Sequence, residues 1–180
     1  MVTPEQPDPP PPADTSEADA PVEWYVAHTR PRCEKKLERY CRREGFPVTL
    51  PLYRSVKKYR GKTEVFLKPL FPGYVFLRLR RHQRQKVFQS DYVANLLEVP
   101  DQEEFAAQLE DILFALEQQV EVRLAPIIAV GSRVRIRTGP LQGMEAWVQA
   151  RKGMTEVLLR LDFIGQAAAV KISADDLEPA

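Results

Sequence analysis

The sequence predicts an α+β fold: a mainly antiparallel sheet packed with helices, then a flexible linker, then a small C-terminal five-stranded β-barrel. Three observations predict it. Between residues 22 and 120, short β-rich stretches alternate with two amphipathic helical stretches. From 130 to 180 the pattern changes to short strands with turn residues every eight to twelve positions, as in small barrels. Residues 121–129 between them show no periodicity and contain Pro126. The chain of 180 residues is long enough for two small domains.

Taken in order, residues 1–21 form an acidic, proline-rich tail with almost nothing to bury, which predicts disorder or local polyproline II. Trp24 to Thr29 has strand composition. Pro31 opens a helix expected over Arg32 to Glu44 and stopped by Gly45. At 100° per residue Cys33, Leu37, Tyr40 and Cys41 share one face of it, while Arg32, Lys35, Lys36, Arg39, Arg42 and Arg43 gather on the other. Phe46 to Leu52 reads as an edge strand, broken by Pro47 and Pro51. Tyr53 to Lys62 and Thr63 to Lys68 form a basic hairpin turning at Gly61. Pro69 to Leu79 (PLFPGYVFLRL) follows, where Pro72-Gly73 marks a turn that feeds a strand. On that strand Tyr74 and Phe76 share one face, and Val75 and Leu77 the other. A short helix over His82 to Ser90, a strand over Tyr92 to Val99, and a helix begun by Asp101 complete the first unit. Phe105, Leu109, Ile112, Leu113, Leu116 and Val120 mark the apolar side of that last helix. In the second unit the expected strands are Val134 to Arg137, Ala146 to Val148, Glu156 to Leu161 and Ala168 to Ile172.

Charge is unevenly distributed. Residues 1–23 carry six acids and no Lys or Arg, whereas residues 24–81 carry 16 Lys/Arg against four acids. Such a basic block is the electrostatic footprint of a polyanion or an acidic protein partner. The basic helix face suits phosphates, which dominate nucleic-acid affinity. No stretch approaches 18 consecutive apolar residues, so no membrane span is expected, and the acidic N-terminus is unlike a secretory signal. Cys33 and Cys41 are the only cysteines and lie too far apart on one helix to bridge, which suggests a reducing, cytoplasmic setting.

The Trp-Tyr strand, basic helix, basic hairpin and PLFPGYVF together resemble the N-terminal (NGN) domain of the NusG family. VGSRVRIRTGPLQGMEAWV looks like a KOW motif of the SH3-like barrel type, with Ala146 where that motif often has glycine. Phe163-Ile164-Gly165-Gln166 looks like the corresponding segment of the family's C-terminal barrel. The resemblance covers residues 22 to 178. It implies a transcription elongation factor that acts on pausing, antitermination or termination, works as a monomer and needs no cofactor or metal. Its N-terminal domain would grip RNA polymerase through an apolar depression made by Tyr25, His28, Phe71, Tyr74 and Phe76. Arg32, Lys35, Lys36, Arg39, Arg42 and Arg43 would lie towards upstream or non-template DNA. Phe163 and Ile164 would contact a ribosomal protein or the termination factor Rho. The Arg60-Gly61-Lys62 turn and the short form look more like the RfaH-type specialised paralogs than housekeeping NusG.

Two other classes compete. An enzyme would need clustered carboxylates or a nucleophile beside a base, and the two histidines, two cysteines and scattered acids make no such set and no zinc spacing. An RNA-binding or ribosome-associated KOW protein would explain the barrel, with Arg133, Arg135 and Arg137 as contacts, but not the aromatic turn.

Overall fold

The computed structural model describes residues 20–118, 120–126, 131–151 and 154–180, so the tail expected to be disordered lies almost wholly outside the described residues. The first unit is a four-stranded antiparallel sheet in the order β2-β5-β1-β6, built from β1 (Glu23–Thr29), β2 (Val48–Thr49), β5 (Tyr74–Leu79) and β6 (Val93–Glu98). The edge strand β2 is only two residues long, since Pro47 and Pro51 bracket it without an N–H to donate.

Helices cover both faces. On one, α1 (Glu34–Arg43) packs Leu37 and Cys41 against Tyr25, Ala27, Val75 and Leu77. On the other, α3 (Gln102–Glu117) packs Phe105, Leu109 and Ile112 against Val26, Phe71 and Phe76. Each such large apolar side chain, fully buried, stabilises the fold by about 1.5–3 kcal/mol. Asp101 caps α3 as expected, its carboxylate accepting from the Glu104 N–H at 2.9 Å. Gln102 then clips the helix to the sheet: its amide accepts from the Trp24 N–H and donates to the Trp24 carbonyl at 3.0 Å. The first helix starts later than its sequence predicts. Arg32 lies at φ 60°, a left-handed conformation that stops helix propagation, so Pro31 and Arg32 belong to the preceding loop. The short helix expected over His82 to Ser90 is a 3-10 turn (Arg81–Gln83) running into α2 (Arg84–Phe88).

Strands β3 (Leu52–Tyr59) and β4 (Lys62–Pro69) form a separate two-stranded ribbon, registered as Val56 opposite Val65 and Tyr59 opposite Lys62. Its tip, Arg60-Gly61, has both residues at positive φ, the I′ turn that matches strand twist.

The second unit is a six-stranded antiparallel sheet, in the order β12-β8-β9-β10-β11-β7. Strands β8 (Arg133–Ile136), β9 (Glu145–Arg151), β10 (Met154–Leu161), β11 (Gln166–Lys171) and β12 (Leu177–Pro179) follow the turn spacing of the sequence. The sixth strand corrects the expected linker: Val122–Pro126 is β7, paired with β11, and residues 127–130 are outside the described residues. Its pattern hides because both faces are partly covered. Val122 joins the main core, Ala125 joins Trp147, Leu158, Ala167 and Ala169 on the opposite side, and Leu124 is exposed, so no alternation results. A buried carboxylate also holds β7: the Arg123 guanidinium forms a two-pronged ion pair with Glu156 of β10, whose side chain is 4% exposed.

Because Glu156 would be left buried and unpaired, Arg123→Ala is expected to destabilise the protein by about 3–5 kcal/mol. A urea titration checks this, with hydrogen exchange at residues 122–126 reporting the freed strand.

Candidate functional site

The Phe71–Tyr74 turn is built by Pro72 and Gly73. The Tyr74 N–H donates to the Phe71 carbonyl at 3.1 Å, with Gly73 at φ 87°, the third residue of a type II turn. Two further bonds lock it. The Gly73 N–H donates to Glu34 Oε1 at 2.8 Å, tying the turn to the first residue of α1, and the Gly73 carbonyl accepts from the Thr29 N–H at 2.8 Å. A side chain at 73 would be strained, and its Cβ would sit 3.6 Å from His28 Cδ2. The backbone of FPGY is thus set against the end of β1, and His28 and Tyr74 face each other across the strand pair. Their rings stack with centroids 5.4 Å apart and planes 27° apart.

Of the five residues expected in an apolar depression, the structure brings only these two to the surface. His28 is exposed and Tyr74 half-buried. Phe71 and Phe76 are fully buried: their rings meet at 6.1 Å, and Phe76 is closed over by Phe105 of α3 at 5.6 Å. Tyr25 is buried on the opposite face of the sheet, beneath the α1 side, with Arg84 over its ring at 5.4 Å. Alternation along β1 makes this inevitable, since Tyr25 and His28 lie three positions apart and point to opposite sides.

The six expected cations are all exposed. Lys35 reaches across to the ribbon, its Nζ donating to the Leu67 carbonyl at 2.6 Å. Arg42 pairs with Glu38 one turn back at 2.7 Å, and Arg43 lies over the Tyr40 ring at 5.3 Å. Lys36, Arg39 and Arg43, together with Tyr40 and Tyr92, line a groove of about 320 Å3. Arg32 stands apart at the N-terminal side of the helix, where it lines a second groove with Lys35, Lys68 and Tyr53. Neither tyrosine was among the residues singled out. Tyr40 belongs by periodicity to the apolar side, yet it sits at the border of that face. Its hydroxyl donates to the Lys86 carbonyl at 2.8 Å, and burial pushes its phenol pKa upward. Tyr92 precedes β6 at the same rim. The combination of three cations and two aromatic rims is what phosphates and unstacked bases require.

Phe163 and Ile164 form a 3-10 turn (Asp162–Ile164) between β10 and β11, and both are half-buried. Phe163 meets Phe105 of α3 edge-on at 6.2 Å. Beside it Gln108 of α3 donates to Asp162 Oδ2 at 2.8 Å and accepts from the Asp162 N–H at 2.9 Å. The turn expected to meet a partner is therefore packed on the first unit. Arg133 and Arg135 of β8 both close on Glu145 of the neighbouring β9, and the Arg135 and Arg133 hydrogen bonds hold the Glu145 carboxyl below the usual range. This pairing weakens the case for them as RNA contacts.

The family model described as transcription termination factor NusG matches residues 22–120, more than half of the chain. The chain belongs to the NusG family. Comparison with curated proteins yields no match. Family members bind RNA polymerase, and the matched span takes in the FPGY turn, α1, the ribbon and α3 of this NusG-family chain. No described helix is long and apolar enough to cross a membrane. Among the described residues, no group of three or more His, Cys, Asp or Glu side chains is arranged to hold a metal ion.

The cysteines make a checkable contrast. Burial pushes the Cys41 thiol up to about 12 from 9.0, while Cys33 is only half-buried. A thiol reagent is expected to label Cys33 in the native protein and Cys41 only after denaturation. Between pH 9.0 and about 12 the unfolded thiol loses its proton and the folded one keeps it, so stability falls as pH rises through that window. Denaturation midpoints of wild type and Cys41→Ala, compared at pH 8 and at about pH 11, should differ in their pH slope.

Proposed function

We propose that this protein is a transcription elongation factor, acting in the cytoplasm, that rides on RNA polymerase and modulates pausing, antitermination or termination. The observation that carries this reading is the FPGY turn within the family-matched span. It presents the His28–Tyr74 stack on a backbone tied at three points, and a rigid aromatic pair is the kind of anchor that dominates protein interfaces. Phe71 and Phe76 support the anchor from beneath. The groove of Lys36, Arg39, Tyr40, Arg43 and Tyr92, with Arg42 exposed on the same helix and Arg32 and Lys35 on the second groove, supports contact with upstream or non-template DNA.

The second unit serves as a KOW domain that recruits a ribosomal protein or Rho through Phe163 and Ile164. A partner taking Phe163 has to displace Phe105 from it, so Gln108→Ala, which removes both bonds to Asp162, is expected to strengthen partner binding. The Arg60-Gly61-Lys62 tip supports a specialised, RfaH-type paralog over a housekeeping factor.

Retention of core RNA polymerase by the full-length chain tests the reading. His28→Ala with Tyr74→Ala is expected to weaken retention by about 2 kcal/mol, roughly thirtyfold, with the circular dichroism unchanged. Phe76→Ala is expected instead to lower stability by about 3–5 kcal/mol, because it empties a fully buried site. Equal retention by wild type and a folded His28/Tyr74 double variant would remove the polymerase contact from this face.

A further inference from the structure

The stretch Arg78 to Lys86, RLRRHQRQK, carries five cations and no acid in nine residues. It lies at the end of the sheet where the described chain begins. Arg80 holds that point, its Nε donating to the Ala20 carbonyl at 3.1 Å. Arg81 is exposed beside it, and α2 then carries Lys86 to the C-terminal turn of α1, where Lys86 meets Glu44 at 2.7 Å next to Arg43. Arg80, Arg81, Lys86 and Arg43 therefore form one basic corner around the root of the N-terminal segment. Glu44 is the carboxylate that Lys86 and Arg43 share. Among the described residues neither Arg80 nor Arg81 has a carboxylate within 4.0 Å.

The segment attached at this corner is acidic throughout. Glu5, Asp8, Asp14, Glu17 and Asp19 lie outside the described residues and are accompanied by no Lys or Arg. Asp19 and Glu17 are one and three residues from Ala20, so the chain keeps them within about 10 Å of it. The Debye length is about 8 Å at physiological salt and about 30 Å at 10 mM, so the attraction to Arg80 and Arg81 acts across this reach most strongly at low salt. The rest of the segment follows at high effective concentration because it is tethered.

We propose that the acidic N-terminal segment is the ligand of this corner, an internal polyanion seated on Arg80, Arg81, Lys86 and Arg43. Arg43 also lines the groove assigned above to DNA, so the seated segment competes with phosphates there. That consequence, though not the docking itself, rests on the DNA-binding reading.

The test uses two full-length chains, wild type and a neutral-tail variant (Glu5→Gln, Asp8→Asn, Asp14→Asn, Glu17→Gln, Asp19→Asn). Their amide resonances are compared at about 10 mM salt, where the Debye length is ~30 Å, and at about 1 M, where it is ~3 Å. Docking predicts differences at Arg81, Lys86 and Arg43 that vanish at high salt. A third chain, Arg80→Gln with Arg81→Gln, should abolish the salt dependence of the tail's own resonances. Identical low-salt resonances at the corner, or differences confined to the ribbon at residues 52–69, would overturn the proposal.

A labelled random-sequence DNA duplex supplies the second arm. The neutral-tail variant should bind it about tenfold more tightly at low salt, as three or four exposed ion pairs together supply. Corner shifts without any gain in DNA affinity would establish the docking and sink the DNA reading.

Discussion

Phe105 sits where the two halves of this protein pack together. Its ring meets Trp24 of β1 at 5.7 Å, Phe76 of β5 at 5.6 Å and Phe163 of the second unit at 6.2 Å. All three are edge-on, the arrangement that aromatic quadrupoles favour. Through Phe76 the cluster extends to Phe71 beneath the FPGY turn. The position of the candidate polymerase anchor and that of the candidate KOW partner turn are thus referred to one side chain on α3. The Gln108–Asp162 pair fixes the orientation that the apolar contact alone would leave loose, because hydrogen bonds are directional and burial is not.

The division of labour among the aromatic residues follows from this packing. Those on the α3 side of the sheet with a ring above them, Phe71 and Phe76, stabilise the fold. The pair beyond the reach of α3, His28 and Tyr74, keeps access to solvent. Gly73 and Glu34 explain why the pair is stiff: the turn has no freedom at its glycine, and its N–H is held by the helix. That helix displays the cations on its far side. One hydrogen bond, from the Gly73 N–H to the Glu34 carboxylate, therefore links the geometry of the aromatic face to that of the basic face, and it gives a NusG-family chain two separate surfaces on one unit.

Most of the fold was legible in the sequence. Apolar periodicity located α1 and α3, Pro-Gly and Arg-Gly located the two tight turns, and Asp101 announced its helix through the hydrogen bond it makes. Two features were not legible. Arg32 reads as helical because its side chain suits the basic stripe, but its backbone has been taken into a left-handed turn that propensity does not register. Val122–Pro126 reads as a linker because a strand covered on both sides has no alternation to show; its partners on β11 lie 40 to 48 positions further on.

The sequence by itself determined which residues are cationic, where the chain must turn and which residues face the same side of each strand or helix, because these depend on charge, backbone sterics and local period. The resemblance to the NusG family nominated Tyr25, His28, Phe71, Tyr74 and Phe76 together. Only the tertiary structure decided which of them meet solvent, because that depends on where α3 lies and what is stacked on it. The same holds for Tyr40 and Tyr92, 52 positions apart in the chain, which become the two rims of one cationic groove only when β6 is laid beside β1 under the helix.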